Sequence, residues 1–265
     1  MTPEARSKKS LWKTLNLLED WLATGFSRPH PDIEIVEQAA SAAPAAPAAA
    51  RAPAAPSVPA AASAPAVEAP AHGDDGSRAG GDRAEALSVV AAEVSACVKC
   101  GLSANRTTTV PGEGSLDAPV MFVGEGPGAE EDRTGRPFVG AAGQYLDKWL
   151  KSIALDRSQC YIANCVKCRP PQNREPHPEE IGACLPYLER QIAAVRPRLI
   201  CCLGRIAAQT LLGTTSSLGA LRGKVHQRKG VPVVVTYHPS AVLRDQSLRK
   251  PVWEDLKVVQ RLLQQ

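Results

Sequence analysis

The sequence is poor in aromatic side chains and has no long apolar run. Its 265 residues include 3 Phe, 4 Tyr, 4 Trp and 2 Met. No stretch approaches the ~20 apolar residues that cross a bilayer, so a membrane span is not expected. Near the N-terminus Lys13, Glu19 and Asp20 interrupt the apolar positions, which argues against a signal peptide. The expectation is a cytoplasmic protein, where thiols stay reduced. Its 8 cysteines therefore need an explanation other than disulfides.

Large side chains are almost missing from residues 39–70, which are nearly all Ala and Pro. Such a segment buries too little apolar area to offset chain entropy, and its prolines block continuous helix. Residues 71–86 are polar and Gly-rich and extend this linker. The sequence thus divides into an amphipathic helix extension at 1–28, a disordered linker at 29–86 and a folded domain at 87–265. Leu11, Trp12, Leu15, Leu18 and Leu22 recur at helical spacing, with Trp21 widening the stripe and Gly25 as a stop. A tethered helix of this kind could engage a protein partner.

Charge divides in the same way. Residues 1–86 carry 8 Lys/Arg against 11 Asp/Glu, while residues 87–265 carry 23 against 16. A basic domain is compatible with nucleic acid without proving it.

Within the domain, the apolar runs at 118–125, 160–167, 198–204 and 231–238 read as buried strands. Helical patterns fill the gaps at 142–155, at 178–195 (broken near Pro186), at 204–213 and at about 251–263. Near-continuous apolar strands alternating with helices imply a parallel sheet covered on both faces. Ligands of such sheets gather beyond the carboxyl ends of the strands. The residues at those ends are Glu125–Gly128, Asn164–Cys168, Gly204–Arg205 and His238–Ser240.

The first of these ends opens the stretch "GEGPGAEEDRTGRPFVG", 124–140. It fails as a dinucleotide fingerprint, because Ala129 stands where G-x-G-x-x-G needs its last glycine. The acids Glu130, Glu131 and Asp132 suit the first turn of a helix, where the backbone dipole favours negative charge. The cysteines form two C-x2-C pairs, Cys97/Cys100 and Cys165/Cys168, with Cys184 further on. That is a good metal signal. Spacing alone allows a zinc site on Cys97, Cys100, Cys165 and Cys168. It equally allows zinc or an iron–sulfur cluster on Cys97, Cys100, Cys168 and Cys184. Cys165 lies in an apolar run, where it fits as a small core residue, whereas Cys168 follows the run beside Arg169 and Pro170. Cys168 is therefore the better ligand. Cys160, Cys201 and Cys202 read as core.

Taken together, "CVKCGL", "VMFVGEGPGAEEDRTGRPFVGAAGQYLD", "YIANCVKCRPPQNREPHPEEIGAC" and "VVVTYHPSAVLR" resemble the family 4, iron–sulfur uracil-DNA glycosylases, in that family's order. The resemblance covers residues 90–245. It implies a three-layer α/β/α sandwich around a four-stranded parallel sheet, and a [4Fe–4S] cluster on Cys97, Cys100, Cys168 and Cys184. It implies a monomer that acts on uracil-containing DNA, removing uracil by flipping the base out of the stack. The segment between Cys168 and Cys184 lacks the basic insertion of a branch that links covalently to DNA, so no covalent link is expected.

Each implied role has a chemical reason. The Gly126 N–H would donate to a uracil carbonyl, and Glu125 would position water or stabilise the sugar cation. Phe138 would stack on the base. Asn164 offers both a donor and an acceptor to the N3–H and O4 edge of uracil. His238 would stabilise negative charge on uracil O2 as the base leaves. Ser240 would bond a phosphate, Leu243 or Arg244 would fill the gap left by the flipped base, and Glu131 would lie near uracil C5. Two rivals compete with this reading. One is a non-catalytic iron–sulfur or zinc module that assists a polymerase on DNA; the other is a zinc-dependent nucleotide hydrolase.

Overall fold

The computed structural model describes residues 76–265. The expected helix at 10–25 and the Ala/Pro-rich run at 39–70 lie outside the described residues. The first described element is helix α1, Gly76–Ser95. Residues 76–86, assigned above to the linker, therefore lie within this helix. Arg83 supplies a reason that composition does not reveal. Its guanidinium donates to Ala194 O at 2.7 Å and Leu116 O at 2.5 Å, and pairs with Asp117 at 3.0 Å. One long side chain so fixes a segment whose own residues are small and polar.

Among the described residues the sheet has six strands. They are β1 (Glu113–Gly114), β2 (Val120–Gly124), β3 (Cys160–Asn164), β4 (Leu199–Leu203), β5 (Val225–Arg228) and β6 (Val231–Thr236), in the spatial order β1-β3-β2-β4-β6-β5. The four central strands are mutually parallel, as expected. The edges β1 and β5 pair antiparallel and are additional to the expected four. Both are short, and β5 alternates exposed and half-buried residues, so neither stands out as an apolar run.

Alternation across the pleat explains why the central strands are apolar throughout. Val120 and Phe122 face one core, with Leu146, Trp149 and Leu150 of α3 (Ala141–Ser152) and Val252, Leu256 and Val259 of α8 (Arg249–Leu263). Met121 and Val123 face the other, with Leu188 and Val195 of α4 (Pro178–Val195) and Ala207, Ala208 and Leu211 of α5 (Arg205–Leu212). Cys160 and Cys201 belong to the first core, and Cys165 and Cys202 to the second. The helix α4 runs unbroken through Pro186, contrary to expectation. A proline inside a helix costs about 3 kcal/mol. Burial of Leu188 and Val195 against the sheet and of Cys184 and Tyr187 under α1 outweighs that cost. The remaining short helices are α2 (Ala129–Thr134), α6 (Leu218–Leu221) and α7 (Pro239–Arg244).

The role of Arg83 is testable. Arg83→Ala should lower the unfolding free energy by about 1–3 kcal/mol in denaturant titration. A chain trimmed to begin at residue 87 should lose at least as much, and one trimmed to residue 76 much less.

Candidate functional site

From β2 the chain moves to β3 on one side, then returns to β4 on the other. This reversal opens a crevice at the carboxyl ends of the strands. A cleft of about 490 Å³ lies there. Glu125, Gly126, Phe138, Asn164, Gly204, His238, Ser240 and Arg244 line it, so nearly all the expected site residues converge on one place. Leu243 is 41 % exposed on the adjoining α7.

Asn164 ends β3 and is buried, yet its Oδ1 has no hydrogen-bond partner among the described residues. An orphaned buried acceptor costs about 1–3 kcal/mol, and a ligand N–H would satisfy it. The neighbouring position has to be glycine. A Cβ on Gly124 would stand 2.5 Å from Phe138 Cζ and closer still to Asn164 Oδ1. Phe138 adopts φ 53°, an uncommon backbone conformation for a bulky residue. Arg157 helps hold it there, donating to Phe138 O at 3.0 Å and to Pro137 O.

Glu131 completes the clamp. Its Oε1 accepts from Val139 N and Gly140 N, each at 2.9 Å, and its Oε2 from Gly128 N at 3.1 Å. The carboxylate thus ties the 124–128 loop to the segment carrying Phe138. The expected acidic first turn is also present, as α2 with Glu130, Glu131 and Asp132 in it. Asp132 turns away from the cleft and accepts from Thr107 N at 2.9 Å.

The ring of His238 lies 5.5 Å from that of Phe138. The Ser240 backbone N–H donates to His238 Nδ1 at 3.2 Å, which assigns the ring proton to Nε2. The Ser240 hydroxyl sits 2.8 Å from the same nitrogen, so it orients the imidazole instead of standing free. Burial, then the positive charge of Arg244, pushes the His238 pKa down to about 4. A neutral imidazole with an N–H on Nε2 results. His177 and His226 lie outside the cleft: the first caps α4, and the second bonds Leu221 O at 2.7 Å.

Glu125 follows β2. Its carboxylate makes no hydrogen bond to a described residue, so a purely structural role bonded to loop N–H groups is not supported. Burial, then repulsion from Glu175, raises its pKa above the ordinary carboxylate range. Arg205, expected at a strand end, also lines the cleft, and so do Arg174 and Glu175, which were not singled out from sequence. Arg205 pairs with Glu175 at 2.5 Å, and Arg174 with Glu180 at 2.7 Å. Nothing in the sequence marks Arg174 and Glu175.

Cys97, Cys100, Cys168 and Cys184 line a second, narrower cavity with Arg106 and Tyr187. All four are free thiols. Cys184 Sγ accepts from Lys167 N at 3.3 Å, and Cys168 Sγ from Arg106 Nη1 at 3.1 Å. Converging sulfurs with N–H donors aimed at two of them suit bound anionic thiolates. Among the described residues no three Cys, His, Asp or Glu side chains gather around a point for a single metal ion. Cys165 points into the core instead, where burial pushes its thiol up to about 12.

The depressed His238 pKa has a consequence for stability. The unfolded imidazole protonates near pH 6.5, whereas the folded one stays neutral to about 4. This contribution is therefore complete above pH 6.5 and is lost as pH falls toward 4. Between those values the wild type should lose on the order of 1–3 kcal/mol more than His238→Asn, measured by chemical unfolding.

Comparison with known proteins agrees with this arrangement. A profile of the uracil DNA glycosylase superfamily matches residues 111–257. The type-4 uracil-DNA glycosylase of Archaeoglobus fulgidus is 44% identical over 186 residues, covering 67% of this chain and 94% of that protein. Its namesake from Sulfurisphaera tokodaii is 46% identical over 187 residues, covering 67% and 85%. That from Pyrobaculum aerophilum is 49% identical over 168 residues, covering 60% and 86%. With its cleft, its four converging thiols and relatives aligned along most of their length, the chain belongs to the type-4 family of the uracil DNA glycosylase superfamily.

Proposed function

We propose that this chain hydrolyses the bond between uracil N1 and deoxyribose C1′ in DNA, releasing uracil and leaving an abasic site for base excision repair. The observation that carries the reading is the buried, partnerless Oδ1 of Asn164 in the floor of the cleft. Uracil N3–H would donate to it while the Asn164 amide N–H donates to O4. The uracil must leave the helical stack to reach this depth. Phe138 would cover the ring, and Gly126 N–H would meet a carbonyl.

As the glycosidic bond breaks, its electron pair goes to the base, and negative charge spreads from N1 to O2. Neutral His238 would donate from Nε2 to O2 and needs no full proton transfer. Ser240 would hold the imidazole for this role. Glu125, whose carboxylate bonds no described residue, would orient the water that attacks C1′ and balance the positive charge on the sugar, and the proton that water gives up would end on the uracil anion. Arg174, Arg205 and Arg244 at the cleft would hold backbone phosphates, and exposed Leu243 would occupy the gap left by the flipped base. The occupied carboxylate of Glu131 favours a positioning role for it over contact near uracil C5.

Cys97, Cys100, Cys168 and Cys184 would hold a [4Fe–4S] cluster. Bound there, it would supply a cross-link joining the segment after α1, the loop after β3, and α4, with no step in the hydrolysis. The protein would act as a monomer in the cytoplasm. Among the described residues, no helix is long and apolar enough to cross a membrane.

An excision assay on uracil-containing oligonucleotides tests the function directly; absence of abasic product at high enzyme concentration would refute it. Asn164→Ala and His238→Ala should each lose about 10²–10³-fold in excision rate while keeping iron and sulfide. Cys168→Ser should lose the cluster and its colour, and Cys165→Ser should keep both. Iron loss from Cys165→Ser would overturn the ligand assignment.

A further inference from the structure

Lys167 is 1 % exposed, yet it carries an amine on a long chain. Its Nζ donates to two neutral acceptors, Asn164 O at 2.9 Å and Gln191 Oε1 at 2.6 Å. No carboxylate among the described residues bonds it. A buried ammonium with only neutral partners costs stability, and a methionine of similar length would fill the same space without that cost. Such a group calls for an explanation beyond packing.

The register of β3 supplies one. Cys165 N–H points to Gly124 O of β2, so by strand alternation the Asn164 carbonyl points the other way, toward the edge. There β1 pairs β3 only at Tyr161 and Ile162. It stops short of Asn164, whose carbonyl has no strand partner on that side among the described residues. Lys167 Nζ caps it. Gln191 in turn is fixed by donating from Nε2 to Pro111 O at 2.7 Å and to Tyr161 Oη at 3.3 Å. At its other end, Lys167 is tied by its main chain to Val110 N at 2.8 Å and to Cys184 Sγ at 3.3 Å.

We propose that Lys167 is a positioning residue for base recognition, holding the main chain of Asn164 so that its carboxamide is presented to uracil, and joining the cysteine lobe to the cleft. The inference rests on the proposed base-reading role of Asn164. A side chain displaced by an ångström can cost a site tenfold to a hundredfold.

A double-mutant cycle on the cluster-loaded protein tests it, reading product inhibition by free uracil together with kcat and KM on a uracil oligonucleotide. Lys167→Met should weaken inhibition by uracil about tenfold or more, with iron content unchanged. In an Asn164→Ala background, the same substitution should change nothing further. Equal losses in both backgrounds, or undiminished uracil inhibition in Lys167→Met, would overturn the role of Lys167 alone. Wild-type activity in Asn164→Ala would instead overturn the base-reading role on which it rests. If Lys167→Met does not accumulate as folded protein, Lys167→Gln, whose shorter chain withdraws the charge, carries the same cycle.

Discussion

The order of the parallel strands governs everything else in this molecule. Because the chain leaves β2 on one side and returns on the other, the segments after β2, β3, β4 and β6 open around one crevice. Residues far apart in sequence, Glu125, Asn164, Arg205 and His238, meet there without any long excursion of the chain. Two apolar cores, one on each face, keep that sheet rigid, so the strand ends are fixed points from which polar side chains can be aimed.

What refines the aim is a set of polar clamps just behind the cleft. Glu131 gathers three backbone N–H groups, Arg157 holds the carbonyls of Pro137 and Phe138, and Ser240 turns His238. Each clamp uses a charged or polar side chain to fix main chain or ring, leaving the cleft-facing groups unpaired. The unpaired state of Asn164 Oδ1 is tolerable only because its surroundings cannot relax to cover it. The proposed division of labour is thus between groups saturated with protein partners and groups kept vacant for substrate.

Much of this was legible in the sequence. Alternation of apolar runs gave the four central strands, and their ends gave the cleft residues. The separation of Cys165 from Cys168 by position relative to the strand agrees with their placement in different apolar clusters. Other features were hidden for physical reasons. The edge strand β1 has two residues and no apolar signature. The start of α1 depends on Arg83 reaching carbonyls over a hundred residues away. The continuity of α4 through Pro186 is decided by burial, which local propensity does not contain. Arg174 and Glu175 reach the cleft from a loop whose path no periodicity records, and Lys167 closes the apolar run at 160–167 without any sign that its amine meets the Asn164 carbonyl.

The distribution of sulfur divides the protein into two chemical territories. Cys160 and Cys165 have thiols pushed up to about 12 by burial, and burial raises those of Cys201 and Cys202 as well. They resist alkylation, oxidation and disulfide exchange while the fold stands, since the thiolate is the reactive form. The partly exposed Cys97 and Cys100, with the cluster they would hold, are the sulfurs an oxidant or electrophile reaches first. Oxidative injury would therefore begin at the lobe that joins α1 to the cleft and reach the sheet only after unfolding. The count of reactive thiols then becomes a direct gauge of which part of the molecule has come apart.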